Sequence, residues 1–256
     1  MSNVAVNYLK QGLGVVVISL EMSQDVYAQR FDAHISKKNI NKLRENEETA
    51  VKRIKEFYAE HPTANLFIKE YPPRSVRSVD IESYLENLKN AGHKFDVVII
   101  DYLNLVLPNR SQDSMYKDGL SVSEELRSLS YKFEVPVVSA VQSNSEGMNS
   151  DAIDMQNISE SRGIAHTADF IGALFQRRDP DPHADDRENG IISMRIVKNR
   201  LGGQVGKICR FRMDPETLTV ADITFDSSMD IIENENSEIG NIMKAMNSLS
   251  SEIDVL

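Results

Sequence analysis

Three side chains stand where apolar runs rich in β-branched residues stop. Glu21 follows Val15-Val16-Val17-Ile18-Ser19-Leu20, Asp101 follows Val97-Val98-Ile99-Ile100, and Gln142 follows the run from Val135 to Val141. Such runs read as strands buried on both faces of a parallel sheet. In those sheets ligands gather at the carboxyl ends of the strands. A carboxylate at Asp101 could hold Mg²⁺ through water beside a nucleotide's phosphates. One at Glu21 could polarise a water for attack, provided it lies near the metal without being consumed by it. A neutral amide at Gln142 could sense a terminal phosphate and pass the signal to the loop that follows. Farther along, Lys198-Asn199-Arg200 precedes Leu201-Gly202-Gly203. Two cations before a glycine turn can project toward an anion, and the arginine fork grips phosphate bidentately. Taken singly, each of these is equally a polar strand cap, a solvated acid or an exposed basic hairpin. Three strand ends in the order Glu, Asp, Gln are harder to dismiss.

The elements that must position these groups follow from periodicity. Asn3 to Lys10 reads as a helix ended by Gly12 and Gly14, and Ser23 as an N-cap with Asp25 in the first turn behind it. Gln24 to about Glu60 is charged and helix-friendly, with Ala50, Ile54, Phe57 and Tyr58 forming an apolar stripe. Leu66–Glu70 reads as a strand and Ser78–Asn90 as a helix. A polar stretch, Pro108–Lys117, precedes a helix from Leu120 to Phe133. Ser143–Asn157 has little pattern and reads as a loop. Strands are expected over 168–175, 191–197, 205–213 and 219–223, with a hydrophilic loop over 179–189. Strands alternating with helices give an α/β core of nucleotide-binding type, with a mostly parallel central sheet flanked by helices.

Composition bounds the reading. The 256 residues suit one well-buried α/β domain or two small ones. A domain over 1–224 and an acidic tail over 225–256 are expected. From Asp222 onward Lys244 is the one basic residue, so much of the net charge of −10 sits there. That charge argues against a surface that coats nucleic acid everywhere, though not against a local basic groove. One cysteine, Cys209, excludes an internal disulfide and a thiolate metal cluster. There is no apolar run of membrane-spanning length and no signal-peptide pattern, which fits a cytoplasmic protein.

In this order, Ile18-Ser19-Leu20-Glu21-Met22, Ile99-Ile100-Asp101-Tyr102-Leu103, Ser139-Ala140-Val141-Gln142, Ala168-Asp169-Phe170 and Lys198-Asn199-Arg200 resemble the DnaB-type replicative helicases, above all those of T-even-like phages. The resemblance spans roughly Ala5 to Met213. It implies a RecA-like motor domain that hydrolyses ATP with Mg²⁺. Glu21 would be the catalytic base, Asp101 the acid that holds Mg²⁺ through water, and Gln142 the phosphate sensor. Lys198 and Arg200 would reach ATP on the adjacent subunit, Arg200 as its arginine finger. Six such domains would ring single-stranded DNA, with loops near 108–117 and 144–162 facing the channel. Arg110, Lys117, Asn144, Glu160 and Arg162 are the DNA-contacting candidates there. Primase and a helicase loader are the expected further partners, and no membrane is. Glu160-Ser161-Arg162 departs from the family's commoner Arg-Glu-Ser-Gly run.

The larger departure is the phosphate loop. The family carries G-x-x-x-x-G-K-[ST] ahead of the first helix, and by comparison its lysine would lie a few residues before Met1. Gly12-Leu13-Gly14 lacks the Lys-Ser/Thr pair and does not replace it. The expectation is the C-terminal piece of a split helicase, inactive without an N-terminal half that carries the loop. The contrasting expectation is a degenerate RecA-like subunit that binds DNA or partners without catalysis. A recombinase of the RecA type is the third.

Overall fold

The computed structural model describes residues 1–111, 113–142, 162–181, 183 and 185–223. The chain divides into Met1–Ala221 and Asp222–Leu256. Nearly all of the second unit, and with it the expected acidic tail, lies outside the described residues.

Four strands, β1 (Gly14–Ser19), β2 (Asn65–Glu70), β3 (Val97–Asp101) and β4 (Val137–Ser139), form a parallel sheet in the order β2-β1-β3-β4. Successive side chains of a strand face opposite ways, so an unbroken apolar run needs cover on both faces. Val16, Ile18, Val98 and Ile100 meet Ile81 and Leu85 of α4 (Ser78–Asn90) and Val122, Leu126 and Leu129 of α5 (Met115–Phe133). Val15, Val17, Val97 and Ile99 meet Ala5, Val6 and Leu9 of α1 (Ser2–Leu9) and Tyr27 and Phe31 of α2 (Gln24–Ser36). A fifth helix, α3 (Glu47–Glu60), turns the expected stripe inward: Ala50 is buried, while Ile54, Phe57 and Tyr58 are half-buried. Gly14 is required where β1 begins. A Cβ there would fall 2.6 Å from the Lys94 carbonyl oxygen, and the Gly14 amide donates to the Asp96 carboxylate at 2.7 Å.

A second sheet carries β5 (Phe170–Phe175), β6 (Ile191–Asn199), β7 (Ile208–Asp214) and β8 (Thr219–Asp222), in that order. The β5–β6 and β6–β7 pairs are antiparallel. The short helix α6 (Arg162–Thr167) leads into it. Its far end is stitched back to the first layer. The Asn3 side chain donates to the Leu218 carbonyl at 2.7 Å and accepts from the Val220 amide at 2.8 Å, and the Ile40 amide donates to the Glu216 carbonyl at 2.8 Å.

The sequence reading needs three amendments. The helix expected from Leu120 starts at Met115, because Ser114 caps it by accepting from the Lys117 amide at 3.3 Å. Its polar first turn carries no apolar stripe to betray it. The strand expected over 135–141 shrinks to Val137–Ser139 and is half-buried, being the edge of its sheet. The expected single sheet is two, the second antiparallel where its pairing is set out above.

Candidate functional site at the strand ends and the Lys198–Arg200 hairpin

Glu21, Asp101 and Gln142 emerge from neighbouring strands. In the pairing of β1 with β3, Ser19 lies opposite Asp101; in that of β3 with β4, Ile100 lies opposite Ser139. All three residues therefore stand at the carboxyl edge of one parallel sheet, where such folds bind ligands. The Ser19 hydroxyl donates to the Met22 carbonyl at 2.6 Å and closes the turn that carries Glu21. Glu21 is exposed, and Asp101 half-buried. The Tyr27 hydroxyl donates to Oδ2 of Asp101 at 2.6 Å. Burial and this carboxylate together push the Tyr27 phenol well above the usual range, so it stays a donor. The Met1 amino group lies near enough to Asp101 to feel its charge, although burial dominates and lowers its pKa. The amino end of α1 thus faces Asp101. Gln142 is exposed, and its amide donates to the Tyr102 hydroxyl at 3.2 Å.

Lys198 and Arg200 leave the far end of β6 and meet α6. The Lys198 ammonium donates to the Ala165 and His166 carbonyls at 2.7 and 3.0 Å. Its pKa is lowered, first by burial and then by the Arg200 charge. Arg200 donates through Nη2 to the His166 carbonyl and through Nη1 to Oδ1 of Asp169, both at 3.0 Å. The Arg200 amide also donates to the Asp169 carbonyl at 2.8 Å. Arg127 of α5 shares Oδ1 of Asp169 at 3.1 Å and donates to the Thr167 carbonyl. Cations at the carboxyl end of a helix complete carbonyls that have no partner within it.

Among the candidates for DNA contact, Arg110 is exposed in the stretch after β3. Lys117 sits in the first turn of α5 rather than in a loop, 3.5 Å from Asp113. Arg162 opens α6. Asn144, Glu160 and most of the 144–162 stretch lie outside the described residues. Three contributors have no role in the sequence reading. Tyr27 and Tyr102 touch Asp101 and Gln142, and Asp169 holds the arginine. Asp169 belongs to a family motif; the tyrosines give no periodic signal. Among the described residues no cluster of three or more His, Cys, Asp or Glu side chains could hold a metal.

The chain matches the family described as the DnaB-like helicase C-terminal domain over residues 1–222. It belongs to that family. The DnaB-like replicative helicase of Enterobacteria phage T4 is 26% identical over 183 residues, covering 69% of this chain and 38% of that protein. The replicative DNA helicase DnaB of Geobacillus stearothermophilus is 29% identical over 212 residues, covering 80% and 45%. The chain therefore spans less than half the length of these curated relatives. Among solved structures, a DnaB-like ATPase domain superposes with a TM-score of 0.70 at 20% identity, covering 86% of this chain and 78% of that one. A DnaB-like replicative helicase described together with its interactions with primase gives 0.69 at 20% identity, covering 88% and 56%. At that identity the likeness establishes the RecA-like fold of the DnaB helicase ATPase domains.

Proposed function

We propose that this chain is the motor portion of a replicative DNA helicase that hydrolyses ATP to move along single-stranded DNA as a hexameric ring. The observation that carries the reading is the alignment of Glu21, Asp101 and Gln142 on the carboxyl edge of adjacent strands β1, β3 and β4. A scaffold without catalysis has no use for that alignment together with Arg200, which disfavours a degenerate binding subunit. The amino end of α1 faces Asp101, and a helix start of this kind suits phosphate oxygens.

Asp101 fits a magnesium site of the usual sparse kind. Tyr27 occupies one carboxylate oxygen and leaves the other to accept from a metal-bound water, and Mg²⁺ commonly takes one or two carboxylates plus substrate phosphates. The ion would neutralise charge on the phosphates. Glu21, held on its turn by Ser19, orients and deprotonates the attacking water. Gln142, tethered to Tyr102, reports the terminal phosphate to the chain that follows. Arg200 serves the nucleotide of the neighbouring subunit. The second sheet and its hairpin present Phe170, Leu174, Leu201, Val205 and Ile208 as exposed apolar side chains, which suits packing between subunits. Arg110, Lys117 and Arg162, with Asn144 and Glu160, face the DNA in this reading. Primase and a loader are its further partners, and the phage-infected host cytoplasm is its place of action. No helix among the described residues is long and apolar enough to cross a membrane.

The 256 residues contain no Gly-Lys-Ser/Thr phosphate loop, so the motor needs that loop supplied by covalent extension or by association. The test is ATPase activity, with and without single-stranded DNA, of the chain alone and of the chain completed by a family phosphate-loop half. Activity is expected only in the completed form. Arg200→Ala should lower it about 10³-fold, and Glu21→Ala at least about 10²-fold. Robust activity of the chain alone would overturn the split motor. Inactivity of both forms with DNA binding intact would leave the degenerate subunit.

A further inference from the structure

We infer that Asp169 is a positioning residue for Arg200: it holds the guanidinium in a fixed orientation from which its unused N–H groups reach the phosphate of a neighbouring nucleotide. The inference rests on the reading of Arg200 as a residue that acts across a subunit boundary. It goes beyond that reading by assigning the group that aims the arginine.

The argument starts from the donors. A guanidinium has five N–H groups. Arg200 uses one on Nη1 for Oδ1 of Asp169 and one on Nη2 for the His166 carbonyl. That leaves Nε–H and one hydrogen on each Nη. Two anchors at opposite nitrogens fix both the position and the plane of the group while those three donors stay free. A long side chain 47% exposed would otherwise sample many rotamers, and fixing it late would add an ordering penalty to the reaction.

Asp169 itself is fixed from three sides. Its backbone carbonyl accepts from the Arg200 amide at 2.8 Å, tying the start of β5 to the end of β6. Its Oδ1 accepts from Arg127 at 3.1 Å. Arg127 in turn donates to the Thr167 carbonyl and lies over the Tyr131 ring. Lys198 completes the arrangement by taking the Ala165 and His166 carbonyls. Three cations thus converge on one carboxylate and the last carbonyls of α6. Of the two arginines on that carboxylate, Arg200 has the more exposed side chain: 47% against 26% for Arg127. Arg127 buttresses the carboxylate; Arg200 is the one left able to reach outward.

The test is a double-mutant cycle on the motor completed by its phosphate-loop half, read as DNA-stimulated ATPase. Asp169→Asn should lower kcat about tenfold with KM for ATP within about twofold, and Asp169→Glu should fall between it and the wild type. In an Arg200→Ala background Asp169→Asn should have no further effect. An equal loss in both backgrounds would mean a general structural role and would overturn the inference, as would wild-type kcat in both Asp169 variants. Absence of any effect from Arg200→Ala would instead overturn the reading of Arg200 itself. A second readout needs no nucleotide: nitrogen-15 NMR of the arginine side chains in the 256-residue chain. Arg200 should show slowed guanidinium rotation that Asp169→Asn releases. Unhindered rotation in the wild type would count against the inference even where Asp169→Asn reduced stability.

Discussion

The two sheets of this domain hold their functional side chains by different physics. In the parallel sheet, every residue from Val15 to Ile18 and from Val97 to Ile100 is fully buried, with helices on both faces. Glu21 and Asp101 stand at the ends of stiff, desolvated rods, and few hydrogen bonds are needed to place them. In the second sheet, Ala173 and Val197 are the buried members of a small apolar cluster, while Leu174 is 62% exposed. There Lys198 and Arg200 are placed by hydrogen bonds to the end of α6 and to Asp169. Burial fixes the carboxylates; a polar strap fixes the cations. A nucleotide site shared between neighbours fits this division: its catalytic acids sit on a rigid floor, and its arginine sits on an edge left open to a neighbour.

The largest test of the contrast is truncation in each sheet. Ile99→Ala should cost about 3–4 kcal/mol in urea unfolding, since it leaves a cavity between β3 and the α1–α2 layer. Leu174→Ala should stay within about 0.5 kcal/mol. Equal losses would mean that the second sheet is as tightly packed as the first.

Acid should loosen the first layer before the second. His34 is 2% exposed at the end of α2, and its Nδ1 has no hydrogen-bond partner. Burial, helped by the charges of Lys37 and Lys10, lowers its pKa from 6.5 to about 4. A base whose folded pKa is depressed takes up its proton more readily when unfolded. Its contribution is complete above about pH 6.5 and is lost as pH falls toward 4. The loss should be on the order of 2–3 kcal/mol. Denaturant melts of the wild type and of His34→Leu at about pH 7.5, 5.5 and 4.5 isolate it from the carboxylates that titrate in the same range. Parallel pH profiles would show that His34 does not report on folding.

The same contrast explains what could be read from the sequence. β1, β3 and α4 were legible because their side-chain periods are determined by burial, and the carboxyl ends of the strands follow from that. The alignment of Glu21, Asp101 and Gln142 needed the order β2-β1-β3-β4, which no local pattern carries. The first turn of α5 was hidden because its residues, Met115 to Gly119, present no apolar stripe. Asp169 and Arg127 meet Arg200 across separations of 31 residues and more, and hydrogen bonds of that range leave no trace in spacing. Tyr27 reads as a core aromatic. Its hydroxyl, four residues past the N-cap Ser23, reaches Asp101 only because α2 packs over β3.

Tyr27 sharpens the comparison, since it is one polar tie in a layer otherwise placed by burial. Tyr27→Phe keeps the ring in the core and removes the donor to Asp101. A hydrogen bond to a charged group contributes about 1.5–3 kcal/mol, but Asp101 is half-buried and water can replace part of it. The expected loss is about 1–2 kcal/mol, measured by urea unfolding. A loss near that of Ile99→Ala would mean that Asp101 is strapped as Arg200 is, and the division between the sheets would fail.

The smallest effect belongs at the start of α2, which carries Tyr27. The Ser23 hydroxyl accepts from the Val26 amide at a long 3.3 Å, while the Glu70 carboxylate accepts from the Gln24 amide at 2.7 Å. An N-cap serine replaced by alanine usually costs about 1 kcal/mol. Here a second acceptor from the end of β2 satisfies another of the helix's free amides. Ser23→Ala should therefore cost about 0.5 kcal/mol, and Glu70→Ala should match or exceed it. A larger loss from Ser23→Ala than from Glu70→Ala would reverse that order and make the local cap, rather than the neighbouring strand, the group that seats α2 against the sheet.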